Sequence, residues 1–253
     1  MQHTSISISS GVRAPTRAPH VLAAVLAAVL ISACGGGGGG SGTTGGGGVT
    51  STSTFNVRSG YQARVNAGAT DNYAVSGTCT GTAQIVNGAA SPTTFKGAAA
   101  LAATQNATVN FGTSCTPSLS TASGTNYYDS TYALLGSTVT GVEYAEYANG
   151  TTPAGLPTGA KVGDTGALTS LTTYTDASKM TVTGSRTVTY AMEADTATTA
   201  ILNVIVKTFD TSNALQVTQQ SRYRVAADGS LTVLTIDVQY SGTGTAHLVY
   251  TKT

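Results

Sequence analysis

"MTVTGSRTVTYAME", residues 180–193, turns apolar side chains to one side of an extended chain. Val182, Val188, Tyr190 and Met192 fall on that side and a row of threonines on the other. Alternation at period two over such a length predicts a strand half-buried in a sheet. Arg186 shares the apolar side. With that side buried, its guanidinium needs either an acidic partner within the chain or an anionic ligand.

The same period runs outward from this stretch. "AILNVIVKTF" (200–209) sets Leu202, Val204 and Val206 against Ile201 and Ile205. "LQVTQQSRYRV" (215–225) groups Val217, Tyr223 and Val225, with Arg222 and Arg224 opposite. "LTVLTIDVQY" (231–240) groups Leu234, Ile236, Val238 and Tyr240, and "AHLVYT" (246–251) groups Leu248 and Tyr250. The links "DTATT", "DTSNA", "ADGS" and "SGTGT" are short and turn-rich, so consecutive strands are expected to pair as antiparallel hairpins. With "ALTSLTTYTD" (167–176) in front, residues 168–253 read as a meander of about six strands. Strands of ten or more residues exceed the usual five or six. They favour a strongly curved sheet or an up-and-down barrel over a Greek-key sandwich. Upstream, "DNYAVSGTCTGTAQIV" (71–86), "NATVNFGT" (106–113) and "STYALLGSTV" (130–139) also read as strands. The reading is β throughout from residue 54, with "GAAALAATQ" (97–105) the best helical candidate. The expected fold is a single all-β domain over 54–253.

Composition narrows the function classes. Charged residues make up 9% of the 253, against about a quarter in ordinary globular chains. Thr, Ser, Gly and Ala fill the difference, a balance common in extracytoplasmic β-proteins. The net charge is +1, and without Arg13 and Arg17 no basic stripe remains, so no nucleic-acid partner is expected. Those two arginines precede "VLAAVLAAVLISA" (21–33), an apolar run long enough for a signal-peptide core and too short to cross a bilayer of about 30 Å as a helix.

Ile31-Ser32-Ala33-Cys34 resembles the lipobox of bacterial lipoproteins, an aliphatic residue and two small ones before the cysteine that becomes the mature N-terminus. The resemblance covers the first 34 residues and implies that 1–33 are a signal peptide. It implies that Cys34 carries a thioether-linked diacylglyceryl group and an amide-linked acyl chain of the palmitate type. At about 0.8 kcal/mol per buried CH₂, several such chains hold a protein at a membrane permanently. Gly35 rather than Asp after the cysteine implies, by the same resemblance, the outer membrane. The glycine-rich stretch 34–53 then reads as a flexible tether with a reach of about 25 Å. It lacks the Gly-Lys-Ser/Thr ending of a phosphate-binding loop.

With Cys34 lipidated, Cys79 and Cys115 remain as an expected disulfide pair in an oxidising compartment. They lack the further Cys or His ligands that zinc requires; neither a metal nor a cofactor is expected. Catalytic groups are scarce. The chain beyond the leader has one histidine, His247, on the strand face opposite Leu248 and Tyr250, and no G-x-S-x-G turn. Asp164-Thr165-Gly166 is similar to the aspartic-protease triplet, but that chemistry needs two such carboxylates and there is no second copy. Glu143 and Glu146 lie three apart, on opposite strand faces. Glu193 and Asp195 share a face beside a turn, without a calcium loop.

What remains suggests binding. Five of the twelve tyrosines fall between 127 and 147: Tyr127, Tyr128, Tyr132, Tyr144 and Tyr147. They form either an aromatic surface suited to a glycan or envelope protein, or the rim of a β-core. The expectation is a non-catalytic β-domain, lipid-anchored in the cell envelope, that binds a partner, ligand or wall component. The alternatives are a surface-exposed structural or adhesive module, or a hydrolase without a recognisable motif. A membrane-spanning barrel is disfavoured: a lipid anchor would be redundant and there is no Trp for an aromatic girdle. Mass spectrometry of protein extracted from membranes is expected to give Cys34–Thr253 plus acyl chains, lighter by the two thiol hydrogens before reduction. A bare mass from a soluble fraction would contradict the anchor.

Overall fold

The meander expected from 168–253 continues around the whole domain and closes on itself. The computed structural model describes residues 50–241 and 245–253, so Cys34, the leader and most of the tether lie outside the described residues. The strands are β1 (Ala69–Gly77), β2 (Gly81–Asn87), β3 (Ser91–Phe95), β4 (Ala98–Asn110), β5 (Leu119–Tyr128), β6 (Leu134–Val139) and β7 (Glu143–Tyr147). They continue with β8 (Thr165–Tyr174), β9 (Val182–Ala194), β10 (Ala200–Asp210), β11 (Leu215–Val225), β12 (Leu231–Tyr240) and β13 (His247–Lys252). Neighbours from β4 to β13 pair antiparallel in sequence order, β13 pairs with β1, β1 with β2, and β2 with β4. That last pairing, Thr82–Asn87 against Asn110–Gln105, shuts a ring of twelve strands. β3 lies outside the ring. It pairs with Ala98–Ala102 of β4, beyond where β2 leaves off.

The alternation read from the sequence sorts side chains to the inside and outside of this ring. Val188, Met192, Leu202, Val204, Val206, Val217, Tyr223, Val225, Ile236, Val238, Leu248 and Tyr250 are all buried in one core. Two strands depart from it. Val182 of β9, expected inside, pairs with the outward-facing Tyr174 beyond a register shift and is 49% exposed. A bulge pairs Arg222 with Thr235 and Tyr223 with Val233, skipping Leu234. Val233 is therefore the buried residue, and Leu234, expected inside, is turned off the inner face. An extra residue on one strand resets the alternation beyond it.

An eight-stranded barrel is just wide enough for its own side chains to fill, so twelve strands need additional filler. It comes from α1 (Val57–Ala67) and the adjoining segments at one end of the ring. Asn56 caps α1, its Oδ1 accepting from the Ser59 N–H at 3.1 Å, and Gly68 ends it at φ 68° with its N–H donating to Arg64 O. This helix departs from the expectation of β structure throughout from residue 54. Its apolar positions are Val57, Tyr61 and Val65 alone, a stripe too brief to show against the strands around it. Conversely, the helical candidate 97–105 lies mostly within β4. Phe55 pairs with Ala160 of the β7–β8 connection, and Phe55, Val57, Leu156 and Ala160 join the core. Arg58 Nε donates to Leu156 O at 2.6 Å, and Arg64 and Lys252 both meet the buried Asp71. Gly60 permits the contact with the β11–β12 turn, since a Cβ there would lie 2.0 Å from Gly229 O. At the opposite end, a Cys79–Cys115 disulfide joins the β1–β2 turn to the β4–β5 connection across a sequence separation of 36.

Arg186 finds its acidic partner inside the barrel. It is 1% exposed, its Nη2 donates to both Glu143 carboxylate oxygens at 3.0 Å, and Nε reaches Thr208 Oγ1 at 3.4 Å. Its Nη1 is buried without a hydrogen-bond partner among the described residues. A buried pair left partly unsatisfied is replaceable by apolar side chains, whereas removing one member strands the other's charge. Glu143→Ala is therefore expected to cost about 3–5 kcal/mol in urea unfolding. Combining it with Arg186→Met should recover most of that loss.

Candidate functional site

Neighbouring residues of a strand point to opposite sides, and this separates Tyr127 from Tyr128 and Tyr144 from Tyr147, while Tyr132 lies in the β5–β6 connection. Tyr128, 1% exposed, points inward and meets Tyr61 of α1 edge-on, ring centres 6.2 Å apart. Tyr132 donates its hydroxyl to Asn66 Oδ1 at 2.5 Å. These two fasten α1 to the wall. Tyr127 and Tyr144 point outward, where Phe95 of β3 lies between them, stacked on Tyr127 at 4.6 Å and on Tyr144 at 6.2 Å. Tyr174 of β8, the register partner of Tyr144, extends the strip at 6.2 Å. Phe95 seats over Gly136, where a Cβ would come within 2.5 Å of its ring.

Beside the aromatic strip sits Glu146, on the outer side and opposite in direction to Glu143, as the strand spacing requires. Its side chain is only 7% exposed. Tyr144 OH donates to Oε2 at 2.9 Å, Lys179 Nζ lies 3.2 Å from both oxygens, and Lys96 Nζ lies 3.3 Å from Oε1. Lys96 also stands 4.1 Å over the ring of Tyr147. Both lysines occupy left-handed turn positions, φ 51° and 58°, which non-glycine side chains rarely adopt. Two hairpin turns thus deliver their ammonium groups to one carboxylate. Burial opposes ionisation of Glu146, but the hydrogen bonds from Tyr144, Lys179 and Lys96 outweigh it and hold the group below the ordinary carboxylate value. The Tyr144 phenol is pushed well above its usual value, first by burial and then by Glu146, so it remains a donor.

The other candidates are absorbed into the structure. Glu193 pairs with Arg222 at 2.9 Å and Asp195 with Arg224 at 2.6 Å, on the outer wall of β9–β11. Asp164 Oδ2 accepts from the Lys161 N–H at 2.8 Å within a turn. His247, half exposed, lies 3.0 Å from Asp237 Oδ2. Among the described residues no group of three or more His, Cys, Asp or Glu could hold a metal, and no helix is long and apolar enough to cross a membrane. Phe95, Tyr174, Lys96 and Lys179 escaped the sequence reading because only register and the folding-back of β3 bring them to Tyr127 and Tyr144. No protein family, curated protein or solved structure matches the chain.

A carboxylate held below its ordinary value stabilises the fold above that value and loses the contribution as pH falls through the depressed one. Glu146→Gln is thus expected to lower unfolding stability at pH 7 by about 1.5–3 kcal/mol, the scale of hydrogen bonds to a charged group. The gap to the parent should close only below the ordinary carboxylate value of 4.5. A gap unchanged down to pH 2.5 would show that folding does not lower the pKa of Glu146.

Proposed function

We propose that this chain is a lipid-anchored envelope protein whose barrel is a non-catalytic binding domain, and that its outer aromatic strip takes a glycan of the wall or envelope. The observation that carries the reading is the set of half-buried Tyr127, Tyr144 and Tyr174, packed around the buried Phe95 on the outer side of a barrel whose inner side is filled. Aromatic rings with polar tips present an apolar face to the C–H side of a sugar and a hydroxyl to its edge. The strip is held from behind. Gly136 leaves room for Phe95, and Glu146 ties Tyr144 to two separate turns.

The packed interior supports the same reading. One cavity of the interior, lined by Tyr61, Tyr132, Leu134, Leu156 and Val188, offers about 30 Å³. Small-molecule sites are typically about 300–1,000 Å³. A carrier that encloses its ligand would need a lumen; a binder of polymers needs a wall. The anchor read at Cys34 and the glycine-rich tether would hold that wall clear of the lipid head groups.

Tyr127→Ala with Tyr144→Ala is expected to weaken retention on purified wall glycan and outer-membrane polysaccharide by roughly tenfold or more, the equivalent of about 1.4 kcal/mol. The inward-facing Tyr132→Phe should bind as the parent does. Equal retention by the double variant and the parent would remove the strip from function.

A further inference from the structure

The outer wall is divided by charge. Between Asp71 and Asp129 the only charged residue is Lys96. The outward faces of β1, β2, β4, β5 and β6 carry no charge and hold mainly Thr, Ser, Asn, Gln and Ala with Val86, Leu119 and Tyr127 among them, whereas β9 and β11 carry the ion pairs of Glu193, Asp195, Arg222 and Arg224. On the uncharged side lies a shallow groove of about 490 Å³ lined by Asn72, Thr82, Gln84, Thr108 and Asn110. Asn72, Gln84, Thr108 and Thr121 stand in register across β1, β2, β4 and β5. Gln84 Nε2 donates to Asn72 Oδ1 at 3.0 Å, fixing how the two amides face outward.

A second register row joins this side of the wall to the aromatic strip. Thr104 pairs with Thr125, Thr125 with Thr138, Thr138 with Tyr144 and Tyr144 with Tyr174. Four residues along β4 and three strand spacings separate Thr108 from Tyr144, about 20 Å at roughly 3.3 Å per residue and 4.8 Å per strand. We infer that groove and strip are two subsites for one chain of an uncharged polysaccharide, an inference that rests on the glycan reading of the strip. Hydroxyls and amides both donate and accept, matching sugar hydroxyls that do the same. A polymer bearing carboxylates or phosphates would lose its hydration in the groove without meeting a cation there, and Lys96 and Lys179 are already committed to Glu146. Two subsites about 20 Å apart make affinity depend on chain length, because the second contact becomes intramolecular once the chain spans both.

The test is a titration of the full-length mature protein in detergent with soluble neutral glucans and mannans, with their oligomers of increasing length, and with a polyuronate of matched length. Neutral polymers are expected to bind, with affinity rising about tenfold or more once the oligomer spans both subsites. Gln84→Ala with Thr108→Ala should abolish that rise and leave short oligomers unaffected, while Tyr144→Ala should weaken every length. Absence of the rise, a groove variant that binds long chains as the parent does, or a polyuronate that binds as tightly as the neutral polymers would each overturn the two-subsite assignment. Continued Tyr144-dependent retention on wall glycan would then leave the strip's role standing. Loss of that dependence as well would remove both.

Discussion

Closure of the ring by β2 against β4 is the pairing on which the rest of this structure depends. Without it β2 and β4 would both present free edges, and a long sheet with open edges invites pairing with other chains. With it, all twelve strands of the ring are paired on both sides and the sheet acquires an inside. That inside is too wide for wall side chains alone. The segment 50–67 and the β7–β8 connection are consequences of closure, supplying Phe55, Val57, Leu156 and Ala160 to a space that would otherwise hold water against apolar wall. The disulfide restrains the opposite end, where the connections on either side of the closing pair meet.

A filled barrel leaves its outer surface as the place for the proposed binding site. Its inner face mixes apolar residues with Gln105, Asn126, Arg186, Gln219 and Ser221, all buried. These polar groups act as volume and as mutual partners; the Arg186–Glu143 pair is the largest of them. Outside, the two halves of the wall differ in charge. β9 and β11 use paired charges, and β1–β6 use hydroxyls and amides, with the aromatic strip lying beside that uncharged side. β3 is the element that assembles the aromatic strip, because it is free of the ring and lays Phe95 across the outer faces of β5 and β7.

The β8–β13 half was legible in the sequence because long strands with one buried face impose period two on thirteen- and eleven-residue runs such as Val182–Ala194 and Ala200–Asp210. The bulge at Val233 was not, since one extra residue is decided by pairing with β11 and leaves no local mark. Helix α1 escaped because its job is to fill a cavity created by the ring, and only its Asn56 and Gly68 caps speak of a helix locally. The need of Arg186 for an internal acid could be read from its place on a buried face. That Glu143 would meet it depended on β7 and β9 flanking β8. For the tyrosines, strand parity separated Tyr127 from Tyr128, but the strip needed Tyr174 and Phe95, which lie 30 residues after and 49 before Tyr144 in the numbering and reach it through register alone.

Hydrogen–deuterium exchange at the closing pair distinguishes a closed barrel from an open curved sheet. In a closed barrel, amides of Thr82–Asn87 and Gln105–Asn110 should be protected to the same degree as those of β10 and β11, since opening them breaches the ring. Exchange of this pair at the rate of the exposed β8–β9 turn, with β10 and β11 still protected, would show an open curved sheet, and the filled interior with its outward-facing site would then fall together.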